Sequence, residues 1–301
     1  MQEAKILIEQ VVTMFILLLL GYLCYKGKLL SSHSTKQLSN LVLTIVSAAF
    51  ILQTFQTPFD AEMTKELLFS LLISFLILGI GIVLSLPFQK HPTDRFSIIY
   101  PNAGYMGIPI LIAVFGETGA IFGSSFLICF TILSWTQGVA MLTRHFSFKQ
   151  LLTVLTSPVI LCIFIGIPIF VFQIQLPIPI ENAISATANL LTPLSMIVSG
   201  AFIAQSKITS AFQSAKGYLI CCIRLLIVPL ITLITLYFFN LDHTLSTSML
   251  ILSSTPCAAG AIQFSARFGG EVNKASGYFT LSTCLCLFTM PLMIVVAEYI
   301  L

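Results

Sequence analysis

Residues 101–109 read Pro101-Asn102-Ala103-Gly104-Tyr105-Met106-Gly107-Ile108-Pro109 and lie in the middle of an apolar stretch. Two prolines and two glycines in nine residues do not make an ordinary helix. Proline removes an N–H and clashes with the preceding turn, and glycine admits dihedrals that other residues avoid. Asn102 adds an amide that both donates and accepts. A second passage of this kind is Ser253-Ser254-Thr255-Pro256-Cys257-Ala258-Ala259-Gly260-Ala261, where proline follows three hydroxyl residues and precedes a run of small ones. Unpaired backbone groups in hydrocarbon cost several kcal/mol each, so an unwound passage must face protein or a watery cavity. The chemistry on offer is anion recognition. Half-helices starting after Gly107 and after Pro256 would present free N–H groups and positive dipole ends to a negative solute.

The candidate ligand-contacting residues are therefore Asn102, Gly104, Tyr105, Gly107, Pro109, Ser254, Thr255, Pro256 and Cys257. Three more polar residues inside apolar stretches join them. Arg224, eight residues after Lys216, is the one basic residue deep within such a stretch; it either reaches headgroups and helix C-terminal carbonyls or attracts an anion beside a vestibule. Asn40 and Asn189 either line the site or bond neighbouring helices. Gln137 is read as a bond between helices. The four histidines, His33, His91, His145 and His243, are read as solvated loop residues.

The elements that must position these residues follow from composition. Only 8% of the 301 residues are charged, against roughly 25% in soluble proteins, while 57% are hydrophobic. That leaves too little polar side chain to cover a soluble surface, and it excludes a soluble enzyme, a disordered chain and a nucleic-acid binder. Ten apolar stretches can be marked out, at 6–25, 38–56, 66–87, 96–115, 119–142, 151–173, 183–204, 214–239, 246–266 and 275–299. The first is read as a membrane span, not a signal peptide, because acids precede it and no small-residue cleavage site follows. The eight cysteines lie in apolar runs without paired ligand spacing, so they read as packing residues.

The connections after odd-numbered stretches hold Lys26, Lys28, Lys36, Lys90, Arg95, Arg144, Lys149, Lys207, Lys216, Arg267 and Lys274, which is 11 of the 14 basic residues. Nine of the eleven acids lie on the opposite side. The positive-inside rule then puts the odd connections in the cytoplasm and both termini outside. The halves also resemble one another. Asn40 and Asn189, 149 residues apart, begin the second and seventh stretches with Asn-Leu, and Pro109 and Pro256 are 147 apart. A five-stretch repeat is odd, so its second copy enters the membrane from the other face. The expected fold is an all-α polytopic membrane protein with ten spans. Residues 1–145 would form one five-helix repeat and 146–301 its inverted copy, with the fourth and ninth spans broken and crossing.

The passage N-A-G-Y-M-G-I-P resembles a motif of the auxin efflux carrier family. The ten-stretch layout, Pro193-Leu194 and Ser254-Thr255-Pro256 fit as well, and the likeness covers nearly the whole chain. It implies two inverted five-helix repeats, crossed broken helices 4 and 9, homodimers, elevator-like motion and transport of organic anions, with auxin in plants and malate, malonate and related carboxylates in bacteria. Carried over, Asn102 would contact the substrate carboxylate, Pro109 and Pro256 would hold the two breaks, and Gly104 and Gly107 would let backbone approach closely. Ser47 departs from the proline common in the second span, and the short connection Thr143 to Gln150 lacks the long loop of the plant carriers. The sequence thus points to a secondary carrier for a small organic anion in the cell membrane, with an uncoupled uniporter or channel as the alternative. No cofactor is expected. With no carboxylate in mid-stretch to relay H⁺, a protonated substrate, the membrane potential, or Na⁺ held by freed carbonyls and the hydroxyls of Ser253, Ser254 and Thr255 would each serve for coupling.

Overall fold

A computed structural model describes residues 2–56, 61–144, 152, 155–206, 211–239 and 241–300. Among these the chain is helical throughout, with no strand beyond a single antiparallel bridge between Pro101 and Cys257. The helices are α1 (Gln2–Lys26), α2 (Ser32–Thr54), α3 (Ala61–Leu84), α4 (Pro92–Ile99), α5 (Ala103–Gly116), α6 (Thr118–Thr143), α7 (Pro158–Val171), α8 (Ile178–Gln205), α9 (Ala215–Phe239), α10 (His243–Ser253), α11 (Gly260–Phe268) and α12 (Val272–Ile300). Seven of them, α1, α2, α3, α6, α8, α9 and α12, are long and apolar enough to cross a bilayer; α5 and α7 are apolar but shorter.

The distribution of side chains is that of a protein solvated by lipid. Ile16, Phe164, Phe238 and Phe288 point outward and are largely exposed. Serines and threonines such as Ser70, Ser74, Ser125, Ser248 and Thr280 are buried. Since lipid gives apolar groups no reason to turn inward, helix association rests on close packing and internal hydrogen bonds. Ser70 Oγ donates to Ser125 Oγ at 2.7 Å, tying α3 to α6. The tightest seam joins α1 to α8, where a methyl group on Gly21 would overlap the Ile197 carbonyl and one on Gly200 the Leu18 carbonyl. Only glycine lets these two backbones touch.

Polar caps mark helix starts. Ser31 accepts from Ser34 N–H for α2, Ser214 from Gly217 N–H for α9, and Asp242 from Thr244 and Leu245 N–H for α10. Between α5 and α6 the chain turns at Gly116, whose φ of 59° suits glycine.

Two boundary readings need correction. Helix α2 begins at Ser32 and α8 at Ile178, so Asn40 lies inside α2, while Asn189 and Leu190 form the turn that parts α8 into Ile178–Ala188 and Leu191–Gln205. The reason is that the flanking segments, though polar, carry good caps: Ser31 before α2 and a proline-led first turn in α8. Lys36 consequently lies on a helix and not in a connection. Part of the sixth apolar stretch, together with Asp60, His145, Lys149 and Lys207, lies outside the described residues.

Candidate functional site

The chain is unwound at Tyr100–Asn102, between α4 and α5, and from Ser254 to Ala259, between α10 and α11. The two gaps meet. Asn102 N–H donates to the Pro256 carbonyl at 2.7 Å, and Ala258 N–H donates to the Tyr100 carbonyl at 3.0 Å. Ala259 N–H donates to Asn102 Oδ1 at 3.3 Å, and Cys257 N–H to Ser282 Oγ on α12 at 3.0 Å. Each gap thereby supplies the partners that the other lost when its helix stopped, which is how non-helical backbone survives at membrane depth.

Four half-helix ends converge here, and their polarity is sorted. The carboxyl ends of α4 and α10 point their free carbonyls at Arg224. Its guanidinium donates to Ile98 O at 3.1 Å, to Ile99 O at 3.5 Å, and to Ser253 O. Arg224 is fully buried and lies in a π-helical turn, Ile223–Ile227, of α9. A delocalised cation with five donors in one plane suits two negative helix ends at once. The amino ends of α5 and α11 carry the opposite polarity. Their first-turn N–H groups, at Ala103, Gly104, Tyr105 and Gly260, have no partner within their own helices.

Those amino ends open onto a cavity of about 1500 Å³. Pro101, Asn102, Gly104, Tyr105, Ala258 and Gly260 form its floor at the crossing. Leu127, Phe130, Trp135 and Phe264 give it an apolar, aromatic wall. The charged side chains among its described lining residues are Lys36, Lys216, Arg267 and Lys274, all basic. Trp135 is in edge contact with Phe264, and Arg267 lies over the Trp135 ring at 5.5 Å. Three π-helical turns, Val42–Val46, Ala103–Gly107 and Ser134–Gly138, face this space; such turns widen a helix and re-aim its side chains.

A profile of the membrane transport proteins, the family that includes the auxin efflux carriers, matches residues 6–146 and 136–294. The chain belongs to this family. It is a multi-pass membrane transport protein. No individual curated protein matches the chain.

Of the twelve residues singled out in this transport protein's sequence, four line the cavity: Asn40, Asn102, Gly104 and Tyr105. Asn102 is nearly buried, and with its Oδ1 taken by Ala259 its amide NH₂ is the group left to donate. The Tyr105 hydroxyl is within 3.0 Å of Ser39 Oγ, and Gln263 of α11 donates to the same serine.

The other eight lie elsewhere. Ser254, Thr255, Pro256 and Cys257 are inside the protein. Ser253 and Ser254 hydroxyls both donate to Leu250 O at 2.8 Å, and the Thr255 hydroxyl donates to Leu252 O, the carbonyl that Pro256 cannot serve. Gly107 is a packing glycine, since a methyl there would come within 2.8 Å of Leu252 and 3.1 Å of Thr255. Pro109 does not hold the break. It sits inside α5, and the Tyr105 carbonyl left without its helical donor accepts from Ser195 Oγ at 3.1 Å. The break belongs to Pro101, which stands 155 residues before Pro256, so the 147-residue offset paired the wrong proline. Asn189 is exposed and away from the cavity. Arg224 faces helix carbonyls and no open space.

The residues that sequence reasoning passed over are Ser39, Trp135, Gln263 and the basic quartet. Gln263 had a signal, being an uncharged polar residue seven positions past Pro256 in an apolar stretch. Trp135, the chain's sole tryptophan, had none beyond its rarity.

Proposed function

We propose that the protein is a secondary carrier that moves a small organic anion across the cytoplasmic membrane by alternating access. One observation carries this reading: the amino ends of two half-helices open onto a cavity whose charged side chains, among its described lining residues, are all basic. A carboxylate on the crossing would take the first-turn N–H groups of α5 and α11 and the Asn102 NH₂. Preorganised amides need no counter-charge of their own, which avoids burying a cation. The family likeness makes malate, malonate or an auxin-like acid the first candidates.

In this reading the chain crosses the membrane ten times as two inverted five-helix repeats, 1–145 and 146–301, with α4–α5 and α10–α11 as the broken spans. The basic connections are cytoplasmic and both termini lie outside. Because Lys36, Lys216, Arg267 and Lys274 all belong to the basic side, the cavity is the cytoplasmic vestibule of an inward-open state. Alternating access would move the crossing against a scaffold of α1, α2, α7 and α8, whose glycine seam makes α1 and α8 a rigid pair.

The test is uptake and counterflow of radiolabelled mono- and dicarboxylates by proteoliposomes, with and without Na⁺ and a pH gradient. Saturable entry of at least one acid, competed by its analogues, is the expected result. Failure of every acid to enter or exchange would overturn the reading.

A further inference from the structure

The sequence offers no carboxylate in mid-stretch, but the fold buries one behind two residues that line the cavity, Lys216 and Tyr278. Asp94, in the first turn of α4, is fully buried. Its Oδ1 accepts from the Tyr278 hydroxyl of α12 at 3.0 Å, and its Oδ2 is 2.5 Å from Lys216 Nζ of α9. Lys216 is more than one-third exposed, and both Lys216 and Tyr278 line the cavity. A buried carboxylate is therefore paired with one cation, and that cation is within reach of any solute entering the vestibule.

We propose that Asp94 is the proton-coupling residue of the carrier, giving up Lys216 to an incoming substrate carboxylate and taking a proton in its place. This rests on the transport reading above. The balance is simple. The substrate carboxylate pairs with the Lys216 ammonium, the Asp94–Lys216 contact opens, and one proton from the aqueous vestibule binds Oδ2. No other bond is made or broken, and each turnover carries one proton with the anion. A carboxylate stripped of its cation in a dry site persists only as the neutral acid, because an unpaired buried charge costs several kcal/mol. Tyr278 keeps Oδ1 occupied, so Oδ2 is where the proton resides.

The surrounding charges support this assignment. Lys274 and Glu271, at the start of α12, form their own pair at 2.7 Å. Arg95, next along α4, donates to Ser85 Oγ beyond α3. Arg224 is committed to the far end of α4, and Arg267 of α11 lies over Trp135. Among the described residues Lys216 is the one cation in direct contact with Asp94. Helix α4 is thus tied to α9 at both ends, by an exchangeable ion pair at Asp94 and by a fully buried cation at Ile98 and Ile99. A proton at Asp94 releases the first tie and leaves the second.

Two measurements on the full chain test this. Proteoliposomes loaded with a pH-sensitive dye would report acid entering with radiolabelled malonate or malate. D94N should lose accumulation driven by a pH gradient together with the accompanying proton signal, and D94E should restore both with a displaced pH dependence. Gradient-driven accumulation by D94N equal to wild type would overturn the proposal while leaving the carrier reading intact. The second measurement needs no substrate. In infrared difference spectra, K216Q should show the carbonyl band of a neutral carboxylic acid, which is missing from wild type and from the K216Q/D94N double variant. Absence of that band in K216Q would also overturn the proposal. If wild type exchanged no acid at all, the carrier reading would fall and the coupling role with it.

Discussion

The two interruptions of the helical scaffold use their polar residues in opposite ways. Between α4 and α5, Asn102 keeps an amide group toward the cavity, and the glycine and tyrosine that follow line it. Between α10 and α11, the three hydroxyls of Ser253, Ser254 and Thr255 turn back onto carbonyls of their own helix, and Pro256 gives its carbonyl to Asn102. One gap faces the solute and the other braces it. The near-symmetry of two proline-centred breaks hides this division, because a proline shows where a helix stops but not which way the freed groups turn.

The bracing is strongest at Arg224, so its removal should have the largest effect. Hydrogen bonds to a charged donor contribute about 1.5–3 kcal/mol each, and Arg224 makes three to buried carbonyls. Arg224→Leu should leave all three unpaired and lower the thermal midpoint in detergent far below wild type. Arg224→Lys should recover part of the loss, because an ammonium reaches fewer acceptors. A Leu variant that melts with wild type would mean the half-helix ends are held by something else.

Next comes the gap that faces the solute. Asn102→Ala removes both the bond from Ala259 and the free donor, so binding of the transported acid should weaken about tenfold or more. Asn102→Asp should be worse, since it sets a negative charge beside the amides meant for an anion. Equilibrium binding of a labelled substrate measures both. Unchanged affinity in Asn102→Ala would take the crossing out of the site.

Much of the fold was legible in the letters, and the reasons are physical. Apolar length and composition are dictated by lipid, so the helical stretches could be marked from sequence. The unwound passages could be found because Pro101, Pro256 and their glycine neighbours cannot propagate a helix in hydrocarbon. Side-chain direction was not legible. Thr255 and Asn102 read alike as polar residues at a break, yet a local carbonyl captures one and a distant N–H holds the other. Asp94, in the connection between the third and fourth apolar stretches, carried no sign of burial in the letters, because its burial depends on α9 and α12 closing over it from more than a hundred residues away.

A smaller effect should follow loss of the Tyr105 hydroxyl, which links α5 to Ser39 on α2 and, through that serine, to Gln263 on α11. This contact joins the crossing to a helix assigned to the scaffold. Tyr105→Phe removes one neutral hydrogen bond, worth about 1 kcal/mol. Transport rate should change several-fold while affinity stays near wild type, because the ring still lines the cavity. Kinetic uptake beside equilibrium binding separates the two. A loss of affinity alone would make the hydroxyl a substrate ligand and not a link between moving parts.

The mildest change should be Ser254→Ala. The Ser254 hydroxyl donates to Leu250 O, a carbonyl that also accepts from the Ser254 N–H and the Ser253 hydroxyl. Its removal strands no group, and a side-chain bond back to the helix contributes little beyond the backbone bond it shares. Binding and melting should therefore shift by no more than about 0.5 kcal/mol. That small number is the most direct check on the division between the two gaps. Should Ser254→Ala weaken binding as much as Asn102→Ala does, the second gap also faces the solute in some state of the cycle, and both breaks become ligand-bearing.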